Sequence, residues 1–333
     1  MYLFKTNVKQ VFIAFILIGS VFALAACGDE SGNSDKEPIV LADAGWDSIQ
    51  FHNAVADIIL GAGYGYETEV MTGSTPATLQ GLERGDIDVY MELWTDSVME
   101  AYRPMLEAGD VIELGVNFDD NLQGLYVPTF VIEGDAERGI DPMAPDLKYV
   151  EDLADYWEVF KDPEDSSKGR IYGSIPGWEA DNFLFAMYEG YGLDETFNYF
   201  RPGSEAALNT SIVNAMDRGE AWVGYNWEPT WIIGLYDMTF LEERSDDGYL
   251  SELQNTDVVI AVNESLPERA PEVVEFLENY QTDSALVNEV LAYMESNNAD
   301  ASETAEWFLK EYEDVWTQWV PEDVAESVRS SVE

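Results

Sequence analysis

From Pro38 onward, short apolar runs alternate with stretches whose apolar positions recur at helical spacing. "IVLAD" predicts a strand, and Ile49–Gly61 predicts a helix with Val55, Ile58 and Ile59 on one side. "TEVMTG" is a second strand, and it leads into "STPATLQGLERGD". There Ser74 or Thr75 can cap a helix with Pro76 in its first turn. "IDVYMEL" is a third strand, followed by "SVMEAYRPMLEAG" as a helix. Strands and helices that alternate with short connections predict a parallel sheet built from crossover units.

A second series begins after "GLYVPTFVI". It holds a helix near Val150–Phe160, a strand at "RIYGSI", helices over Glu179–Tyr191 and Glu205–Arg218, and a strand at "AWVGYNW". "DVVIAVN" returns as a strand, and Ala270 to Val332 is mainly helical by period. The expectation is an α/β protein of two lobes, each a mostly parallel sheet flanked by helices. Ligands of such folds sit at the carboxyl ends of the strands and in the cleft between lobes.

The tryptophans fall at informative places. Trp46 follows the first strand, Trp94 follows "IDVYMEL", Trp178 follows "IYGSIPG", and Trp227 ends "AWVGYNW", so four of the ten stand at predicted strand ends. Core or interface packing is the ordinary alternative for any one of them. Converging, their faces would cage a quaternary ammonium group, each face contributing about 0.5–2 kcal/mol once water is excluded. A trimethylated nitrogen has no N–H to offer a carboxylate, so π faces suit it better than acids do. Trp157, Trp222, Trp231, Trp307, Trp316 and Trp319 lie in apolar stripes and read as core. At Trp178, the preceding Pro176 and Gly177 set up a helix start whose N–H groups at Trp178, Glu179 and Ala180 can receive a carboxylate. The Glu179 side chain must turn away for that to work.

The N-terminus reads as an address. Lys5 and Lys9 precede an apolar run from Val11 to Ala26, shorter than the ~20 residues of a membrane span, and "LAAC" ends it at Cys27. Residues 1–26 are therefore expected to be a secretory leader. Cys27 is the only cysteine, so no internal disulfide forms. The polar stretch 27–37 suits a tether.

Composition narrows the classes further. The 333 residues are 46% hydrophobic and 25% charged, with 16 Lys+Arg against 66 Asp+Glu and a formal charge of −50. The basic clusters that nucleic acid requires are missing, so nucleic acid is excluded as a partner. His52 is the only histidine and lies in a predicted helix as a packed residue. A Ser-His-Asp triad and a zinc site therefore both lack parts, and neither cofactor nor metal is expected. With so many acids, a carboxylate-dependent exported hydrolase stays open as a reading of another class.

Taken in order, "LADAGWDS", "GDIDVYMELWTDS", "GLYVPTFV", "IPGWEADN", "GSEAALNTSIVNAMDRGEAWVGYNWEPTWIIGLYDMTFLEE" and "DVVIAVN" resemble the substrate-binding lipoproteins of glycine betaine, proline betaine and choline ABC importers. The resemblance implies a type II periplasmic-binding fold. It places lobe 1 at 38–128 and, on return, at 231–333 with the C-terminal helices, and lobe 2 at 129–230. Crossings between lobes are expected near Tyr126–Val131 and Trp227–Leu235. By motif position Trp94, Trp178 and Trp227 look like walls of betaine-binding members, whereas Trp46 and Tyr126 look like walls of choline-binding members. Ser48 stands where choline-binding relatives have an aspartate, and Val98 where one betaine-binding branch has a histidine. "LAAC" resembles a lipobox, implying acylation of Cys27 and a lipid anchor on the outer face of the cytoplasmic membrane or in the periplasm. Further implications are a monomer without enzymatic activity, a permease and ATPase as partners, and glycine betaine or proline betaine as ligand, with choline or carnitine as the alternative. A sensor or adhesion lipoprotein would share the same sequence features.

A chain carrying this much unbalanced negative charge repels itself unless salt shortens the Debye length to about 3 Å, as it does near 1 M. A salt-adapted source follows. The melting temperature is expected to fall when NaCl is lowered from molar to millimolar; a melting temperature that stays constant across that range would refute the salt-adapted reading.

Overall fold

The run Ile39–Asp43 is buried along nearly its whole length, as a parallel strand covered on both faces must be. The computed structural model describes residues 36–245, 248–251 and 256–333. The expected leader and Cys27 lie outside them. Ten strands occur among the described residues: β1 (Ile39–Asp43), β2 (Thr68–Thr72), β3 (Val89–Trp94), β4 (Val111–Phe118), β5 (Gln123–Pro128), β6 (Gly169–Tyr172), β7 (Phe197–Phe200), β8 (Gly224–Trp227), β9 (Met238–Phe240) and β10 (Val258–Asn263).

They form two five-stranded sheets, ordered β2-β1-β3-β10-β4 and β7-β6-β8-β5-β9. In the first, β1 runs parallel to β2 and β3, while β10 runs antiparallel to β3 and β4. In the second, β6 is parallel to β7 and β8, and β5 is antiparallel to β8 and β9. Each sheet thus keeps the parallel half predicted from strand–helix alternation. Each also gains an antiparallel half around the strand that arrives from the other lobe, β10 in the first and β5 in the second.

These pairings move the expected crossings. β5 holds Tyr126 but pairs with β8 and β9, so the chain has already left the first sheet between Phe118 and Gln123. β9 keeps it in the second sheet to Phe240, beyond the expected return at Trp227–Leu235, and β10 brings it back. An apolar run such as "GLYVP" carries no mark of which sheet will take its backbone hydrogen bonds. The helix expected near Val150–Phe160 shrinks to a 3₁₀ turn, Val150–Asp152, and one α turn, Leu153–Tyr156. The Phe160 carbonyl accepts instead from the Arg170 N–H beside β6. The other helices fall where the period puts them, including Asp47–Ile58, Ala180–Gly190 and Glu205–Arg218.

The carboxyl ends of the two sheets meet. Trp178 Nε1 donates to the Ala44 carbonyl at 3.2 Å, and the Asp47 N–H donates to Glu205 Oε2 at 3.1 Å. Gly177, at φ 100°, sits so close to the first lobe that a Cβ there would lie 3.3 Å from Ser74 Cβ. The left-handed backbone favours glycine, and the close approach leaves little room for a Cβ besides.

Asp47 and Glu205 are both acids. Burial pushes the Glu205 carboxyl well above the usual range and the Asp47 charge pushes it further; burial also raises Asp47, with Glu295 adding repulsion. Both shifts favour the protonated acid where the lobes meet. Raised values mean this stabilisation is complete at low pH and disappears as pH climbs through them. Scattering is expected to show the lobes separating as pH rises, and Glu205→Gln is expected to stay compact. A wild-type radius of gyration that does not change with pH would rule the latch out.

Candidate ligand-binding site

Between the sheets lies a cavity of about 40 Å³ walled by Trp46, Trp94, Trp178 and Trp227, with Tyr90, Tyr225, Gln123, Thr75, Val98, Glu179 and Ala180 also on its surface. A single water needs about 10–15 Å³ of such space, so the volume suits a small headgroup and not a sugar. Trp46 and Trp94 arrive at the carboxyl ends of β1 and β3, Trp227 at that of β8, and Trp178 at the start of the helix Ala180–Gly190.

The rings stand nearly perpendicular in sequence. Trp46 and Trp178 have centroids 5.5 Å apart at 88°, and Trp178 and Trp227 5.1 Å apart at 87°. Such edge-to-face contacts are favourable in themselves and form a corner of successive walls. Tyr225 stacks on Trp227 at 5.3 Å and 20°, its hydroxyl donating to Gln123 Oε1 at 2.8 Å. Trp94 rests edge-on against Phe118 at 5.7 Å.

One buried carboxyl holds two of these walls. Glu92, on β3, accepts on its single oxygen Oε1 from Trp46 Nε1 at 2.8 Å, Ser48 Oγ at 2.9 Å and Trp94 Nε1 at 3.0 Å. Burial pushes it up to about 8. His52 lies 3.8 Å from its other oxygen and contacts the Tyr280 hydroxyl at 2.7 Å; burial pushes the imidazole down to about 3, so it is neutral.

Of the residues singled out in the sequence, Trp46, Trp94, Trp178, Trp227, Glu179 and Ala180 are brought together on the cavity surface. Ser48 is not: its hydroxyl lies behind the tryptophans on Glu92. Tyr126 is not either. It packs edge-on against Phe240 at 5.3 Å with its hydroxyl toward Glu228. In the β5–β8 register, Gln123 faces Trp227, Leu125 faces Tyr225 and Tyr126 faces Gly224, so alternation turns Tyr126 to the opposite side. The expected helix-start site is narrower than three N–H groups, because that of Trp178 is taken by the Ile175 carbonyl at 3.0 Å. Glu179 does turn away, accepting from Asn182 Nδ2 at 2.7 Å. Tyr225, Gln123 and Glu92 were missed, although Tyr225 and Glu92 stand two residues before Trp227 and Trp94, the spacing that shares a strand face. Among the described residues, no group of three or more His, Cys, Asp or Glu is placed to hold a metal ion, and no helix is long and apolar enough to cross a membrane.

Residues 37–311 match the family described as "Substrate binding domain of ABC-type glycine betaine transport system". The chain is 22% identical over 320 residues to the "Trimethylamine N-oxide-binding protein" of Pelagibacter ubique (strain HTCC1062), covering 93% of this chain and 98% of that protein. Its fold is similar to that of an ABC-transporter choline-binding protein in complex with choline, with a TM-score of 0.72 at 24% identity over 89% of this chain and 98% of that one. It is also similar to lactococcal OpuAC in its closed-liganded conformation with glycine betaine, with a TM-score of 0.69 at 17% identity over 86% and 100%. With two mixed sheets and their flanking helices matched across most of its length, the chain belongs to the family of substrate-binding domains of ABC-type glycine betaine transport systems.

Proposed function

We propose that the protein captures a small solute carrying a fully methylated ammonium group, glycine betaine first, and delivers it to the permease and ATPase of an ABC importer. The observation that carries this reading is the set of four indole rings, contributed by both lobes, around one small cavity. Perpendicular neighbours offer π surface from several directions at once, as a near-spherical trimethylammonium group requires. The first turn at Glu179 and Ala180 suits the carboxylate of a betaine, since helix starts favour anions. Proline betaine fits the same description, and the relative named for trimethylamine N-oxide shares the trimethylated nitrogen.

The cavity offers little for catalysis. Glu179 is the one acid on its surface among the described residues, and Glu92 lies behind the indoles, so the facing carboxylates of a hydrolase are missing. We read the protein as a non-catalytic, monomeric capture component, held by lipid on Cys27 at the outer face of the membrane. Closure of the lobes on ligand is the signal the transporter reads.

Calorimetry tests this directly. Glycine betaine is expected to bind saturably and be recovered unchanged. Trp94→Ala, Trp178→Ala and Trp227→Ala should each weaken binding by about 1–2 kcal/mol, on the order of tenfold. Folded variants that bind as tightly as the wild type would sink the cage, and turnover of the solute would favour the hydrolase.

A further inference from the structure

We propose that Glu92 tunes the ligand charge this site accepts, shifting its preference from a zwitterion toward a net methylammonium cation as it loses its proton, by gripping two cavity walls with one carboxyl oxygen while the other gains or loses that proton. The inference rests on the reading of the cavity as a methylammonium site.

The geometry separates the two oxygens. Oε1 takes both indole N–H groups and the Ser48 hydroxyl, whereas Oε2 is buried without a hydrogen-bond partner. Across from Oε2 stands His52 Nε2 at 3.8 Å, which also lacks a partner. Both side chains are fully shielded from solvent. With the His52 proton on Nδ1 toward Tyr280, Nε2 is left as an acceptor facing the Oε2 proton.

The titratable groups around Glu92 are few. Its own strand supplies Tyr90, the helix Asp47–Ile58 supplies His52, and Tyr280 stands beyond the imidazole. β4 contributes the apolar Phe118 ring. No Lys or Arg pairs with Glu92 among the described residues. Burial holds the carboxyl up to about 8 and keeps His52 neutral, so near neutral pH the proton resides on Glu92. A cation bound against Trp46 and Trp94 draws that proton off to bulk buffer and is then attracted by the carboxylate. A zwitterion carries its own anion and gains less. Indole N–H donation to Oε1 is kept in either state, so the walls stay in place while the charge behind them changes.

The experiment titrates choline chloride and glycine betaine into the wild-type protein and Glu92→Gln, in two buffers of different ionisation enthalpy. The ratio of the two affinities is followed from about pH 6.5 to about pH 9, a window bracketing the Glu92 value. Taking the ratio cancels any effect of the Asp47–Glu205 contact on closure, which both ligands share. In the wild type the ratio should shift toward choline by about tenfold with rising pH, and choline should release more protons than glycine betaine. Glu92→Gln keeps an acceptor for the indoles, so tryptophan fluorescence should be unchanged, the ratio flat, and proton release lost. A wild-type ratio that does not move, or a variant that moves as the wild type does, overturns the proposal even though both ligands bind. Binding of neither ligand by the wild type overturns the cavity reading and this inference together. Should the variant not fold, the wild type decides alone: excess proton release with choline supports the proposal, and equal release with both ligands overturns it.

Discussion

An indole walls a cation site better when its N–H is engaged away from the cavity, as it is for three of the four here. A buried donor left unpaired costs about 1–3 kcal/mol, and aimed into the cavity it would repel the cation and hold water. Here the donors of Trp46 and Trp94 go to Glu92, and that of Trp178 goes to the Ala44 carbonyl. The rings are thereby fixed in orientation as well as satisfied. The Trp178 bond crosses from the second lobe to the first, so completing the cage and joining the lobes are one event.

The same event brings two strongly acidic bodies together. The ion pairs among the described residues join groups within one lobe, such as Arg170 to Asp162 at 2.7 Å, Arg201 to Asp181 at 2.7 Å and Lys36 to Glu272 at 2.9 Å. The scarce cations steady each lobe locally, and among these pairs none spans the cleft. What crosses carries no salt bridge: a hydrogen bond to a backbone carbonyl, perpendicular rings, and a backbone N–H donated to a buried carboxyl whose ionisation burial opposes. A cleft closed this way opens without breaking a salt bridge, which suits a protein that must release its ligand.

The positions of the four tryptophans were legible because strand ends are legible: burial periodicity marks where each strand stops, and Trp46, Trp94 and Trp227 stand at those stops. Face and partner were not. Tyr126 and Tyr225 both sit in aromatic strand segments, and only the pairing of Leu125 with Tyr225 and Tyr126 with Gly224 decides which of them faces the cavity. Sheet membership was not legible at β5 and β9 for the same reason: both lie in segments expected in lobe 1, yet they take their backbone hydrogen bonds within the second sheet, whereas β10 joins the first sheet as expected. Glu92 left a faint signal, a lone acid in the apolar run "VYMELW", where a charge has no place unless something buried needs it.

Two kinds of negative charge surround a ligand here, and salt treats them differently. The charge of −50 spread over the chain suggests a general attraction for cations, yet at about 1 M salt the Debye length of about 3 Å confines each surface carboxylate to its immediate neighbours. A solute already inside the cleft is beyond their reach. Glu92 lies inside the protein, where ions do not enter, so its field reaches across the indoles with little salt screening. Its burial also makes the charge conditional, because a carboxylate deprived of water keeps its proton until a cation arrives to offset the loss. If Glu92 acts as proposed, discrimination between a cation and a zwitterion at high salt falls to an acid that solvent does not reach.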